Sequence, residues 1–175
     1  MASSFLNNAN LPIGLRNNNP GNVRPLSNGV KWVGQIGVNK NFVVFSDVSY
    51  GIRAMVKNFI TQYTRDNENT VRKYITAYAP PSDGNNTKAY IDSVAKALGV
   101  TPDQKLTITA DIVKKLVRAH MVVELGQVHT KVTDSDIATG LSMVKLPGIT
   151  PTTAKVVSGV ALFFISIALI TIVKS

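Results

Sequence analysis

The 175-residue chain contains no cysteine and only two histidines. Without cysteine it can form neither a disulfide framework nor a thiolate metal site. His120 and His129 do not have the H-x-x-x-H spacing of a helical zinc site, so carboxylates would have to complete any coordination shell. We therefore expect no bound metal and no cofactor.

Charged residues are also scarce, at 17% of the chain, whereas hydrophobic residues make up 45%. This composition and length indicate one folded domain with a real core rather than a disordered chain. The formal net charge of +9 favours an acidic partner, such as nucleic acid, anionic lipid or the bacterial cell wall. Because the basic residues are scattered and no basic helix or aromatic platform accompanies them, we expect no specific nucleic-acid binding.

Only two of the ten carboxylates are glutamates. Glu68 lies in the polar segment TRDNENT, where a solvated role is expected. Glu124 ends the amphipathic segment ADIVKKLVRAHMVVEL, next to valines and a leucine and just before Gly126. Burial among such neighbours raises a carboxyl pKa toward the range of a general acid, and the helix dipole gives no reason to place a negative charge there. The alternative is a peripheral Glu124 paired with Arg118 or a lysine.

One long uncharged run, VVSGVALFFISIALITIV at 156–173, lies between Lys155 and Lys174. As a helix its eighteen residues would span about 27 Å, close to the hydrocarbon thickness of a bilayer. A buried core helix is the alternative, but the run is apolar on every side. The preceding segment 143–155 includes LPGITPTTAK, which is typical of a Pro/Thr tether. We therefore predict a single-pass C-terminal membrane anchor.

The remaining patterns predict a mostly α-helical fold with a minor β element. Residues 1–13 are expected to be a flexible N-terminal segment, followed by one domain over 14–142. Apolar residues at helical spacing follow each of several polar capping residues, and on the fourth helix they extend to Val123. The segments VKWVGQIGV and NFVVF predict a small hairpin. The expected helix starts are Ser46 or Asp47, Thr70, Asn86 or Thr87, Thr109, and Thr133 with Asp136.

The segment GLRNNNPGNVRP at 14–25 combines four short amides with proline and glycine, and it predicts a loop. Carboxamides both donate and accept hydrogen bonds, as the hydroxyl and N-acetyl groups of a glycan require. The alternative is a network of amides that bond to one another and to the backbone, and that only shapes the fold.

Five motifs resemble, in one order over about 14–142, a family of bacteriophage virion-associated lysins. They are RNNNPGNVR, WVGQIG, FVVFSDVSYGIRAM, YAPPSDGNNTKAYIDSV and RAHMVVELG. This family carries an RNNNPGN signature, includes cystovirus-type lytic proteins, cleaves peptidoglycan and is similar to lytic transglycosylases. The resemblance implies Glu124 as the catalytic residue. Leu125 is a departure, since the family usually has asparagine after this glutamate.

Lytic transglycosylases usually place the helix with the catalytic glutamate first, before a G-L-M-Q-like turn and an AYNAG-like segment. Here GQIG resembles that turn and ITAYAPPSDGNNTKAYIDSV resembles the later segment, but Glu124 comes last. The resemblance therefore implies a circularly permuted, lysozyme-like lytic transglycosylase core of α+β class. Permutation is physically allowed because chain termini lie at the surface and are often close together.

The resemblance implies peptidoglycan as the ligand, bound by amides, by an arginine that can meet wall carboxylates and by aromatic rings that can stack on sugars. The candidate contacts are Asn17, Asn18, Asn19, Asn22, Arg24, Trp32, Gln35, Tyr78, Asn86 and Tyr90. For the aromatic residues the alternative is a position in the core.

Three functions remain open at this stage. A lytic transglycosylase needs one carboxylate, whereas a hydrolytic muramidase needs a second one, for which Asp47 and Asp83 are the candidates. The third is a non-enzymatic, membrane-anchored structural protein. We expect a location in the membrane of a membrane-containing bacteriophage virion, with other virion proteins as further partners.

Overall fold

Six helices and two strands make up residues 2–147, the part of the chain that the computed structural model describes. In chain order they are α1 (Ile13–Arg16), β1 (Gln35–Asn39), β2 (Phe42–Phe45), α2 (Val48–Arg65), α3 (Val71–Tyr78), α4 (Thr87–Leu98), α5 (Ala110–Leu125) and α6 (Asp134–Ser142). Short 3-10 turns lie at Pro81–Asp83 and Gly126–Lys131. The prediction of a mostly helical fold with a small antiparallel sheet is confirmed.

Polar caps determine where five of these helices begin. Each capping side chain accepts a hydrogen bond from a backbone amide of the first turn, which satisfies a donor that has no partner within the helix. For α6 the cap is reciprocal, because Asp136 also accepts from the Thr133 amide. The five capping residues are Asp47, Thr70, Asn86, Thr109 and Thr133; three were predicted outright, and Asp47 and Asn86 were each one of two predicted candidates.

The core forms around α2, which contacts α3, α5, α6 and β2. Its apolar face, including Ile52 and Phe59, is fully buried. The buried side of α5 includes Met121 and Leu125, but Val123 is 38% exposed. The prediction that Val123 belongs to the apolar face was therefore wrong. Residues 121 and 125 are four apart and share one face, and Val123 lies off that face.

The hairpin is shorter than its sequence pattern predicted. Strand β1 starts only at Gln35, and Val30 and Val33 before it are 59% and 52% exposed. Strand β2 pairs with it antiparallel, with Val38 opposite Val43. Val43 is fully buried, so this strand attaches the hairpin to the core.

Hydrogen bonds fix residues 3–5 to the domain, so this part of the predicted flexible segment 1–13 is held in place. The Ser3 amide donates to Oδ1 of Asp136 at 2.8 Å, and the Val48 amide donates to the Ser3 carbonyl at 3.0 Å. The Phe5 amide donates to the Asn18 side chain. The segment therefore connects α6, the start of α2 and the loop at 17–25 that carries the four asparagines, here called the asparagine loop.

The described part of the chain ends inside the predicted tether. Val144 and Leu146 are buried against the core, so residues 143–147 belong to the folded unit. The rest of the predicted tether and the predicted membrane helix at 156–173 lie outside the described residues. Within 2–147, no helix combines the length and the apolar character needed to cross a bilayer.

Candidate functional site

The asparagine loop directs most of its amides into the core. Asn18 is fully buried; its Oδ1 accepts from the Phe5 amide at 2.8 Å and its Nδ2 donates to the Phe45 carbonyl at 3.1 Å. Asn19 is also fully buried, and both ends of its side-chain amide bond to the backbone of Val23. These amides hold the loop between the N-terminal segment and the hairpin.

Asn17 is buried as well and accepts a hydrogen bond from Nδ2 of Asn39 at 3.0 Å. The structure thus corrects the prediction that Asn17, Asn18 and Asn19 contact a ligand. Their side chains are enclosed by protein and border no part of the cleft at Glu124. For these three residues the fold-shaping alternative is the better description.

Asn22 differs from its neighbours because it faces the cleft. It has a left-handed backbone (φ 51°), which the short amide side chain tolerates well. Its Nδ2 donates to Oε2 of Glu124 at 2.7 Å. The loop therefore supplies one hydrogen-bond donor to the carboxylate at the end of α5.

Glu124 lies in the last turn of α5 and accepts a second hydrogen bond, from the Tyr90 hydroxyl to Oε1 at 2.9 Å. Burial raises the pKa of Glu124, and the hydrogen bonds from Asn22 and Tyr90 oppose this shift without cancelling it. Val122 and Val123 beside it are exposed, whereas Tyr90 of α4 and Asn22 of the loop contact its carboxylate.

No cation pairs with Glu124 among residues 2–147. Arg118, its predicted alternative partner, instead bonds to Oδ1 of Asp134 and to the Val132 carbonyl. A half-buried carboxyl group with two neutral donors and no counter-ion in this part of the chain is able to hold a proton and to release it. This is the condition that general acid–base chemistry needs.

Three tyrosine rings surround His120, which lies one helical turn before Glu124. The ring centroids of Tyr74, Tyr78 and Tyr90 are 5.3, 4.8 and 5.4 Å from that of the imidazole. Nδ1 of His120 is 2.9 Å from the Tyr90 hydroxyl oxygen. Burial lowers the pKa of His120 to about 3, so the imidazole is neutral near neutral pH.

A cleft of about 560 Å³ opens on one side of Glu124. Its walls include Asn22, Arg24, Trp32, Tyr78 and Asp83. A second depression of about 370 Å³ is bordered by Asn86 and Tyr90. Glu124 borders both, so a chain-like ligand that filled both depressions would lie close to Glu124.

The side chains of the large cleft are also tied to the protein. Arg24 forms an ion pair with Asp83 at 3.0 Å, and Nε1 of Trp32 donates to the Arg24 carbonyl at 3.0 Å. Oε1 of Gln35 accepts from the Trp32 amide, and Gln35 borders neither depression. Gln35 therefore supports Trp32, and its predicted contact with a ligand stays a prediction.

The remaining predicted residues also have structural partners. The Tyr78 hydroxyl donates to the Gly21 carbonyl, which fixes the loop just before Asn22. Asn86 caps α4. Asp47 caps α2 and borders neither depression, so of the two candidates for a second carboxylate only Asp83 borders the cleft.

Two contributions to the site did not emerge from the sequence. Asn58 and Gln62 of α2 border the large cleft, and nothing in their helical segment distinguishes them from surface amides. His120 had one detectable signal, its i, i+4 spacing from Glu124, which places both side chains on one helix face. Within 2–147, no three histidine or acidic side chains converge as a metal site would require.

No known family profile matches the chain. A curated relative, Protein P5 of Pseudoalteromonas phage PM2, is 33% identical over 96 residues. The chain is similar to a bacteriophage protein. The aligned region covers 53% of this chain and 59% of the phage PM2 protein, so the similarity spans little more than half of either.

Proposed function

We propose that the chain is a phage virion-associated enzyme that degrades peptidoglycan, cleaving the glycan between N-acetylmuramic acid and N-acetylglucosamine. The observation that carries the proposal is Glu124: a carboxyl group with a raised pKa, two neutral hydrogen-bond donors and a position between two depressions. A glycan chain fits this arrangement because the bond to be cleaved lies between two sugars, one on each side of the acid.

The proposed reaction is that of a lytic transglycosylase. Glu124 protonates the glycosidic oxygen, and the bond from this oxygen to the anomeric carbon of the muramic acid breaks. The carboxylate then takes the proton from the 6-hydroxyl of the same sugar while that oxygen bonds to the anomeric carbon. The products are a free 4-hydroxyl on one fragment and a 1,6-anhydro end on the other, and Glu124 regains its proton.

The fold we propose for this activity is a circularly permuted, lysozyme-like core. The glutamate-bearing α5 follows the hairpin and the tyrosine-bearing α4, whereas it precedes the corresponding elements in lytic transglycosylases. The proposed location is a virion membrane, held by the apolar run at 156–173. Similarity to a phage protein and the net charge of +9, which suits an acidic wall polymer, support this setting.

A hydrolytic muramidase is the second candidate, because Asp83 borders the same cleft as Glu124. A hydrolase needs the second carboxylate to activate water or to form a glycosyl intermediate. The ion pair between Asp83 and Arg24 occupies one oxygen of that carboxylate and therefore favours the one-carboxylate route. A non-enzymatic structural protein is the third candidate.

Analysis of the reaction products tests all three candidates. The full chain, kept in mild detergent, is incubated with purified peptidoglycan, and the released fragments are examined by mass spectrometry. We expect fragments with 1,6-anhydro ends. Reducing ends would instead identify a muramidase, and intact glycan strands at high protein concentration would contradict enzymatic function.

A further inference from the structure

Glu124, Tyr90 and His120 form a continuous hydrogen-bonded chain that ends inside the protein. The Tyr90 hydroxyl is 2.9 Å from Oε1 of Glu124 and 2.9 Å from Nδ1 of His120. A hydroxyl has one proton to donate, so it cannot donate to both neighbours. The direction of this chain therefore decides whether Glu124 receives a donor or an acceptor from Tyr90.

The protonation of His120 sets that direction. A neutral imidazole carries its proton on one of its two nitrogens. If Nδ1 holds the proton, it donates to the Tyr90 oxygen, and the Tyr90 hydroxyl is left to donate to Glu124. If Nε2 holds the proton, Nδ1 accepts from Tyr90, and the Tyr90 oxygen can then only accept from a protonated Glu124.

The surroundings of Nε2 favour the first arrangement. This nitrogen is buried and has no hydrogen-bond partner among residues 2–147, and three tyrosine rings pack around the imidazole. A buried N–H without a partner is rarer in proteins than an acceptor without one, because the donor loses its bond to water and gains nothing in return. The proton therefore belongs on Nδ1.

We propose that His120 is a positioning residue that acts on Glu124 through Tyr90, by holding the Tyr90 hydroxyl proton toward the carboxylate. His120 does not contact the cleft; its imidazole is buried behind the tyrosines. When the Tyr90 oxygen accepts a hydrogen bond from His120, the Tyr90 hydroxyl becomes a stronger donor to Glu124. This donor matters most when Glu124 is ionised.

The consequence for catalysis follows from when Glu124 is ionised. In the proposed reaction the carboxylate exists only after the glycosidic oxygen has been protonated. Donors from Asn22 and Tyr90 thus stabilise the charge that develops during bond cleavage, and they do so more than they stabilise the protonated starting state. This part of the inference rests on the proposed function, whereas the hydrogen-bond direction does not.

The glutamate composition of the chain permits a direct test. Glu68 and Glu124 are the only glutamates, so the full chain labelled with ¹³C-glutamate gives two carboxyl signals, which Glu68→Gln assigns. The titratable groups near Glu124 are Tyr74 and Tyr78 from α3, Tyr90 from α4 and His120 from α5, and the Arg24–Asp83 ion pair borders the same cleft. The tyrosines have raised pKa values and His120 a lowered one, so these four groups keep their charge while Glu124 titrates, and the ion pair is unchanged in every variant below.

The proposal predicts the direction in which each substitution moves the titration midpoint of Glu124. Tyr90→Phe removes a donor to the carboxylate and should move the Glu124 titration to higher pH. His120→Leu should move it in the same direction by a smaller amount, and His120→Asn, whose amide can still donate, should restore it. In a Tyr90→Phe background His120→Leu should add nothing. A shift to lower pH in His120→Leu, or an equal shift in both backgrounds, would overturn the proposal.

A measurement on the unmodified chain covers the case in which these variants do not fold. His120 and His129 are the only histidines, so ¹⁵N spectra of the imidazoles can be assigned with His129→Gln. We expect the His120 proton on Nδ1; a proton on Nε2 would refute the proposed direction.

For glycan cleavage we expect His120→Leu to lower kcat about tenfold with little change in KM. A complete lack of cleavage by the wild-type chain would remove the proposed function but leave the titration result intact.

Discussion

Asn22 donates from its Nδ2 to Oε2 of Glu124 across 2.7 Å, although 102 positions separate the two residues in the chain. The contact joins the asparagine loop to the end of α5 and sets one edge of the cleft. This contact distinguishes Asn22 from Asn18. Asn18 has a similar left-handed backbone, but its side chain forms hydrogen bonds only within the folded interior.

The two asparagines should therefore respond differently to the same substitution. Asn18→Ala removes four hydrogen bonds from a fully buried site and should destabilise the fold by several kcal/mol, on the order of 3 kcal/mol or more. Asn22→Ala should lose stability mainly through the backbone strain that both positions share, on the order of 1 kcal/mol, and should fold but cleave glycan more slowly. Thermal unfolding and a glycan-cleavage assay on both variants check this. The backbone strain of alanine is matched, since φ is 52° at Asn18 and 51° at Asn22. An unfolded Asn22→Ala beside a stable Asn18→Ala would contradict the assignment.

Glu124→Gln should abolish glycan cleavage while leaving the fold intact. Glutamine is nearly isosteric with glutamate but cannot give a proton to the glycosidic oxygen, and general acid–base assistance is worth about 10²–10⁴-fold in rate. The assay is release of soluble fragments from purified peptidoglycan, with circular dichroism as the test of folding. Glu68→Gln, the control, lies outside the cleft and should retain activity. Full activity in Glu124→Gln together with loss in Glu68→Gln would place the catalytic group elsewhere.

Stability should depend on pH through Glu124 in a defined direction. Burial raises the pKa of Glu124 despite the bonds from Asn22 and Tyr90, so the folded state binds this proton more tightly than the unfolded chain does. Stability from this group is present in acid and is lost as the pH rises through the raised pKa. Glu124→Gln should thus be more stable than wild type at neutral pH, and the difference should disappear at about pH 3, below the unfolded pKa.

Asp136 should show the opposite dependence on pH. Burial raises the pKa of Asp136, but hydrogen bonds from Ser3 and Thr133 outweigh that effect and the net pKa is lowered. Its stabilisation is present above the unfolded pKa and is lost as the pH falls through the folded one. Asp136→Asn should therefore be less stable than wild type at neutral pH and closer to it in acid. Thermal unfolding of both variants at the two pH values measures this, and parallel curves would be evidence against the two shifts.

A chain that ends before Lys155 should be soluble, folded and active. The helices and the cleft of residues 2–147 are complete without the apolar run, and Val144 and Leu146 already close the core. The measurements are sedimentation behaviour, circular dichroism and glycan cleavage of the shortened chain. An aggregated or unfolded product would mean that the run at 156–173 is part of the core instead of an anchor.

Cleavage of cell-wall material should weaken as ionic strength rises. The net charge of +9 attracts an acidic polymer through interactions that salt screens, with a Debye length of about 10 Å at 0.1 M. Initial rates on intact walls at low and high salt provide the measurement, and rates on a short neutral glycan provide the control. If the two initial rates fell equally with salt, attraction between the net positive charge and the cell wall would not explain the salt dependence.

Helix starts were predictable because caps depend on interactions within one turn, and the buried faces were predictable except at positions such as Val123. Thr109 satisfies the amide of Ile112, three residues later, whatever the rest of the chain does. The same holds for the reciprocal cap of Thr133 and Asp136. The shortened β1 was not predictable, because whether Val30 and Val33 join a strand depends on a pairing partner rather than on their own propensity.

Sequence alone was enough to single out Glu124 as a candidate, since it is one of two glutamates and ends an amphipathic helix. Its surroundings became known only from the packing of distant segments. The valines beside it face solvent, whereas Tyr90 from α4 and Asn22 from the loop supply its hydrogen bonds. Four asparagines of one loop look alike in sequence, and the approach of the hairpin and the N-terminal residues selects which of them are buried. Desolvation and hydrogen-bond partners depend on distances between remote segments, and a local pattern does not contain those distances.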